Sequence, residues 1–300
     1  MSPGAPVAVT PVTGKTDLDA FIRLPWRLYK GNRNWTPPLL RLQHETLSPK
    51  HNAFYQHADV QLFLARRGAG VVGRISAHID HEHNRYHSER TGFFGFFESE
   101  NDPEIARALL ATAETWLRER GMDRIRGPMN FSTNGEVGFL LEGFDSPPVM
   151  MMPYTHPYYL DLVEGCGYAK VRDLFAWLWE AQTVPPERAK MVEELRSRPN
   201  VTVRKANMGR FEAEVRTILD LYNDAWAKNW GFVPATAAED AQMARDVERT
   251  GSAGHGIGRG VAVDDGEAWS HCISERRGER ARGLVCRLAR ARDLGERRRG

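Results

Sequence analysis

The sequence predicts an α/β fold with a mixed, largely antiparallel sheet. Three observations carry this reading. Residues 60–79, VQLFLARRGAGVVGRISAHI, are two β-rich runs joined by a glycine-containing turn, the signature of a hairpin. Residues 102–121 read as a helix with both ends marked. The order of elements, β-α-β-β-β-α-β-α-β, holds too many strands between helices for a purely parallel doubly wound sheet.

The elements run in order along the chain. VAV (7–9) is a short strand. From Leu18 to Tyr29 the apolar residues fall at helical spacing, and GNRNWTPP (31–38) then breaks the helix with a glycine and two prolines. FFGFF (93–97) is a strand. In the next helix Asp102 is a good N-cap, and Pro103 suits the first helical position, where its missing N–H would have no partner anyway. Ile105, Leu109, Ala113, Trp116 and Leu117 form one apolar stripe, and Gly121 closes the helix. MDRIRGPMNF (122–131) is a further strand. Residues 157–167 suggest a short helix, and YAKVRDLFAWLW (168–179) a long aromatic strand.

Residues 183–200 read as a linker carrying a short charged helix. From residue 201 the chain resembles its own beginning. VTV (201–203) answers VAV (7–9), Leu221-Tyr222 answers Leu28-Tyr29, and Asn229-Trp230 with Pro234 answers Asn34-Trp35 with Pro37. This pattern indicates a tandem duplication. The second copy fades after VAVDDGEA (261–268). Residues 251–300 hold 11 arginines and no lysine, which suggests a GC-rich gene read out of frame; a basic RNA-binding tail is the alternative. The expected organisation is a first domain at 1–182, a linker at 183–200, an incomplete second unit at 201–250, and a largely disordered or out-of-frame tail at 251–300. In that second unit Tyr222, Trp226, Trp230 and Phe232 must pack on the first domain or stay exposed.

Composition narrows the function classes. A net charge of +2 implies no attraction of the whole molecule to nucleic acid or membrane. The 3 cysteines fit neither a disulfide framework nor a CxxC metal pattern. With no basic-then-apolar leader and no membrane-length apolar window, the expected location is the cytoplasm. The sequence carries no signal of oligomeric state.

Three stretches could carry chemistry. GHGIGRG (254–260) looks like a phosphate loop but lacks a strand before it, a helix after it and the GxGxxG spacing, so it is rejected as one. HIDHEHNRYH (78–87) clusters four histidines, yet it is polar throughout and reads as a solvated loop; no metal is expected. GPMNFSTNGEVGFLLEGFDSPPVMMMPYTHPYY (127–159) is the richest. Asn130, Ser132, Asn134, Tyr154 and His156 are polar groups on irregular chain after a strand, where small-molecule sites are often lined. The alternative is that the asparagines bond turns and Met150 to Met152 fill core.

The order of elements, the helix ending EGCGY before a final strand, Leu24-Pro25-Trp26, the NxNW-x-PP of residues 32–38 and FFGFFE resemble the GNAT N-acetyltransferase superfamily, in an uncharacterised bacterial subgroup. The resemblance covers residues 7–180. It implies direct acyl transfer from an acetyl-CoA or other acyl-CoA cosubstrate to a small amine. It places the pantetheine along 93–97 and the pyrophosphate at the next helix N-terminus. Phe96, Phe97, Asn101 and Glu104 are then the cosubstrate contacts. Glu98 is the base, Tyr158 or Tyr159 the acid, and Asn130 a substrate contact. This chain departs from the family pattern at ESENDPEIA (98–106), where Glu98, Glu100, Asp102 and Glu104 oppose a polyphosphate and Pro103 removes a donor. The departure predicts weak acetyl-CoA affinity and leaves a second reading, a non-catalytic ligand-binding module on the same fold.

Overall fold

The computed structural model describes residues 5–149, 152–177, 186–199, 204, 207–251 and 283–291. The chain forms two compact units, one of residues up to Trp177 together with the C-terminal strand, the other of Leu178–Ala281.

The first unit opens with β1 (Val7–Pro11), α1 (Lys15–Leu28) and α2 (Leu40–Thr46). The expected hairpin is β2 (Ala58–Arg67) and β3 (Gly70–Asp80). Next come α3 (His81–His87), β4 (Thr91–Ser99), α4 (Pro103–Arg118), β5 (Arg124–Gly127), β6 (Phe139–Glu142), α5 (Tyr159–Glu164) and β7 (Tyr168–Trp177). The Asp102 side chain caps α4 by accepting from Glu104 N, and Gly121 takes the left-handed conformation at φ 80°, as the end signals predicted.

β1 to β4 pair antiparallel in sequence order, and β4 then pairs parallel with β5. Leu109, Ala113 and Leu117 of α4 pack with Phe63, Ile75 and Phe94 on one face of the sheet. Phe21 and Ile22 of α1 pack with Leu62, Leu64 and Phe96 on the other. Each buried leucine, isoleucine or phenylalanine among them contributes about 1.5–3 kcal/mol.

Three expectations are corrected. The strand read over 122–131 ends at Gly127, because Pro128 has no N–H to continue the ladder. The histidine-rich segment is a helix rather than a solvated loop. Asp80 accepts from the amides of Glu82 and His83 at its N-terminus, and His83 is buried against Phe93. The third concerns the tail: Gly283–Ala291 is not disordered but forms β8, antiparallel to β5, β6 and β7. Backbone pairing between two open strand edges supplies this strand without the apolar alternation that its composition lacks. The remainder of 252–300, including GHGIGRG and Cys272, lies outside the described residues, as do Met150, Met151 and the strand expected at VTV (201–203).

The second unit contains α6 (Pro186–Ser197), α7 (Phe211–Trp226) and α8 (Ala237–Gly251). Phe232 is buried and packs 6.0 Å from Tyr222, while Trp226 remains exposed. Among the described residues no helix is long and apolar enough to cross a membrane.

Two buried imidazoles give the first unit a predictable acid response. Burial lowers His78 to about 4, and burial with the nearby His87 lowers His83 to about 4. His78 Nε2 bonds the Phe131 carbonyl at 2.9 Å, which leaves Nδ1 no acceptor for a second proton. The unfolded chain therefore binds more protons between pH 6.5 and 4, so stability is full above that window and falls through it. Each histidine contributes at most about 3 kcal/mol to the fall. Urea unfolding at pH 7 and pH 4.5 should show the loss, and His83→Gln should flatten it; an unchanged slope would contradict the assignment.

Candidate active site

The site forms where β4 breaks its regular alternation. Ser76 opposes Gly95 and Arg74 opposes Glu98, so Phe96 and Phe97 together face Ile75 alone. This is a bulge, and Phe96 takes φ 47° within it. Phe94 and Phe97 consequently share one face of the sheet, although they are three residues apart, while Phe96 joins the opposite core. Glu98 turns with its cross-strand partner Arg74.

The Glu98 carboxylate is held from two sides. Tyr159 Oη donates to Oε2 at 2.6 Å, and Arg74 Nη2 lies 3.6 Å from Oε1. Burial raises the Glu98 pKa above the usual carboxylate range, against the lowering effect of the Arg74 cation. Arg74 is itself buried, donates to the Phe21 carbonyl at 2.7 Å, and sits over the Phe21 and Phe96 rings. The arrangement keeps a carboxylate dry and basic without leaving it unpaired.

Tyr158, the other candidate acid, donates to the Ser99 carbonyl at 3.0 Å. Burial and the Glu98 charge push its hydroxyl up to about 12, and burial raises Tyr159 well above an ordinary phenol. Asn130 has both ends engaged: Oδ1 accepts from Phe96 N at 2.7 Å, and Nδ2 donates to Glu136 at 2.9 Å. It thus pins the bulge as well as lying near it. His156 bonds the Leu28 carbonyl at 3.2 Å and stacks on Tyr158 at 4.9 Å.

The remaining predicted residues lie outside this cluster or serve it through the backbone. Phe96 and Phe97 present buried rings, and the Phe96 N–H is already given to Asn130 Oδ1. Tyr154 Oη bonds the Phe144 carbonyl at 3.0 Å and Asn32 at 3.3 Å. Ser132 Oγ accepts from Asn134 N at 3.2 Å within a turn. Asn101 and Glu104 are exposed.

Two further residues belong to the site without a chemical signal in the sequence. Arg74 is one. The other is Tyr29, buried and stacked between Trp35 at 5.0 Å and His156 at 4.1 Å. The Glu98 charge adds to burial in raising its pKa, which places its hydroxyl in the same electrostatic cluster. The recurring LY–NW–P pattern is its one signal. Trp35, Tyr29, His156 and Tyr158 form a continuous stack of rings leading toward Ser99.

The N-terminus of α4 does not fit a pyrophosphate. Asp102 already accepts from Glu104 N at 2.8 Å, and Pro103 offers no N–H. Arg67 there is shared by Asp102 at 2.8 Å and Glu104 at 2.7 Å. Glu100 is likewise taken by Arg27 at 2.7 Å. The acidic segment is therefore locally neutralised, but its donors are spent on protein carboxylates. Among the described residues no group of three His, Cys, Asp or Glu is placed to hold a metal ion.

No family model matches the chain. It is similar to a bacterial ceramide synthase of Caulobacter vibrioides (strain NA1000 / CB15N), with 42% identity over 249 residues, covering 83% of this chain and 65% of that protein. It is also similar to Protein YghO of Escherichia coli (strain K12), with 40% identity over 231 residues, covering 76% of this chain and 58% of that one. The chain thus spans less than two thirds of the length of these curated relatives. Among solved structures, a tandem GNAT protein from the clavulanic acid biosynthesis pathway overlaps 64% of this chain and 61% of its own, at 15% identity and TM-score 0.40. A GCN5-related N-acetyltransferase from Kribbella flavida overlaps 96% of this chain and 72% of its own, at 12% identity and TM-score 0.43. The strand order, the bulged β4 and the parallel β4–β5 pair give the first unit a GNAT-like fold.

Proposed function

We propose that this protein is an N-acyltransferase that moves an acyl group from a thioester to the amine of a long-chain amino alcohol. The buried Glu98 carboxylate, fixed directly after the β4 bulge by Tyr159 and Arg74, is the observation that carries this reading. The similarity to a ceramide synthase supports the acceptor class, since a ceramide is the N-acyl amide of such an amine.

In the proposed reaction the amine nitrogen attacks the thioester carbonyl, forming the C–N bond as the C–S bond breaks. Glu98 takes the amine proton. The thiolate must then be protonated. A thiol has a reference pKa of about 8.5, so transfer from Tyr158, held near 12, runs uphill. Protonated Glu98 is the stronger acid, and it returns the proton to sulfur. Tyr159 keeps the carboxylate oriented, which makes it a positioning residue in this scheme. Asn130 holds Phe96 N in the bulge.

The occupied α4 N-terminus makes a specific prediction about the donor. The nucleotide end of acyl-CoA meets a proline and an amide already given to Asp102 there, so acyl-pantetheine should support thiol release within about tenfold of acyl-CoA, a difference under about 1.4 kcal/mol. A colorimetric thiol assay with a long-chain amino alcohol as acceptor tests this. Amine-dependent thiol release from both donors supports the reading. Amine-dependent release no faster than in a protein-free control would favour the non-catalytic alternative. Protein-dependent release that ignores the amine would mean hydrolysis by water and contradict the acceptor. A hundredfold preference for acyl-CoA would place a phosphate cradle on this chain after all.

A further inference from the structure

We propose that residues 30–51 dock the protein on an anionic lipid surface. Leu40 and Leu47 turn into the core beneath α2, and this leaves Leu39 and Leu42, one helical turn apart, facing outward. They are 69% and 45% exposed, and Pro37 and Pro38 beside Leu39 are exposed as well. The same segment carries Lys30, Arg33, Arg41 and Lys50 against the single carboxylate of Glu45. Arg41 already pairs with Glu45 at 2.8 Å. Lys30, Arg33 and Lys50 are exposed and have no ion pair among the described residues.

Exposed apolar side chains on a segment that also carries exposed, unpaired cations match the interface of a bilayer carrying anionic headgroups, where leucines enter the acyl boundary and lysine or arginine meets phosphate. The charge of this segment is local and hidden by the net charge of +2. The patch is also joined to the site. Trp35, inside the segment, stacks on Tyr29 at 5.0 Å. A membrane-held amine would therefore be presented at the end of the ring stack that leads toward Ser99, the residue after Glu98. The docking claim stands on the patch alone and is read without turnover, so its failure and that of the proposed reaction are distinguishable.

The test is co-sedimentation of the full chain with vesicles of phosphatidylcholine containing phosphatidylglycerol, and with phosphatidylcholine vesicles alone. Binding should require phosphatidylglycerol and weaken as salt rises. The double variant Leu39→Asp/Leu42→Asp and the double variant Arg33→Glu/Lys50→Glu should each bind roughly tenfold more weakly. All four positions are exposed, and circular dichroism checks that the variants fold. Equal binding by wild type and both variants would overturn the proposal. So would absence of vesicle binding, including the case in which the leucines instead mediate self-association that Leu39→Asp/Leu42→Asp abolishes.

Discussion

Glu98→Gln is expected to lower acyl transfer by about 10²- to 10⁴-fold, the range a positioned general base contributes. Glutamine keeps the shape and can still accept from Tyr159 Oη, which donates to Glu98 at 2.6 Å in the wild type. It cannot take a proton at neutral pH. The loss should therefore fall on kcat, and the buried Arg74 cation, left without its carboxylate, should lower the melting temperature as well, so turnover is compared well below it. The pH profile adds a sign. Burial raises the Glu98 pKa, so the acid limb of kcat/KM should lie above the ordinary carboxylate range. Arg74→Met removes the cation that opposes this shift and should move the limb further up. Unaltered turnover in Glu98→Gln would remove Glu98 from the mechanism.

Gly95→Ala is expected to cost more than about 4 kcal/mol, or to prevent folding. A Cβ at this position would stand 2.0 Å from the Met129 carbonyl oxygen and 2.8 Å from its carbon. Both atoms are backbone, so no side-chain rotation relieves the clash. The chain after β5 would have to leave β4, and with it would go the Asn130 contact to Phe96 N and the bulge that aims Glu98. Gly14→Ala, with nothing within 4 Å, is the matched control and should melt like the wild type. A melting temperature for Gly95→Ala within a few degrees of wild type would show that the two segments separate at little cost.

Part of the candidate site is reached in the sequence only through the GNAT resemblance, which implies a base at Glu98 and an acid at Tyr158 or Tyr159. Their grouping is not legible there. FFGFFE reads as an unbroken strand, and a left-handed phenylalanine at 96 has no local signal, so the face on which Glu98 falls stays hidden. Arg74 is hidden for a related reason. A lone arginine in a strand reads as solvent-facing, and only the cross-strand register pairs it with Glu98. The helix α4 is legible at both ends because its caps are local. The short helix α3 is not, since its Asp80 cap is followed by polar residues without an apolar stripe. β8 escapes because its reason to be ordered lies in strand edges more than a hundred residues earlier in the chain.

Amide formation at this site is the central claim, and mass spectrometry of the product measures it most directly. The protein is incubated with palmitoyl-CoA and a long-chain amino alcohol. The expected product has the mass of the amine plus the acyl group less one hydrogen, formed by wild type and nearly absent with Glu98→Gln. Free palmitic acid alone, or no product while both substrates persist, would contradict the claim.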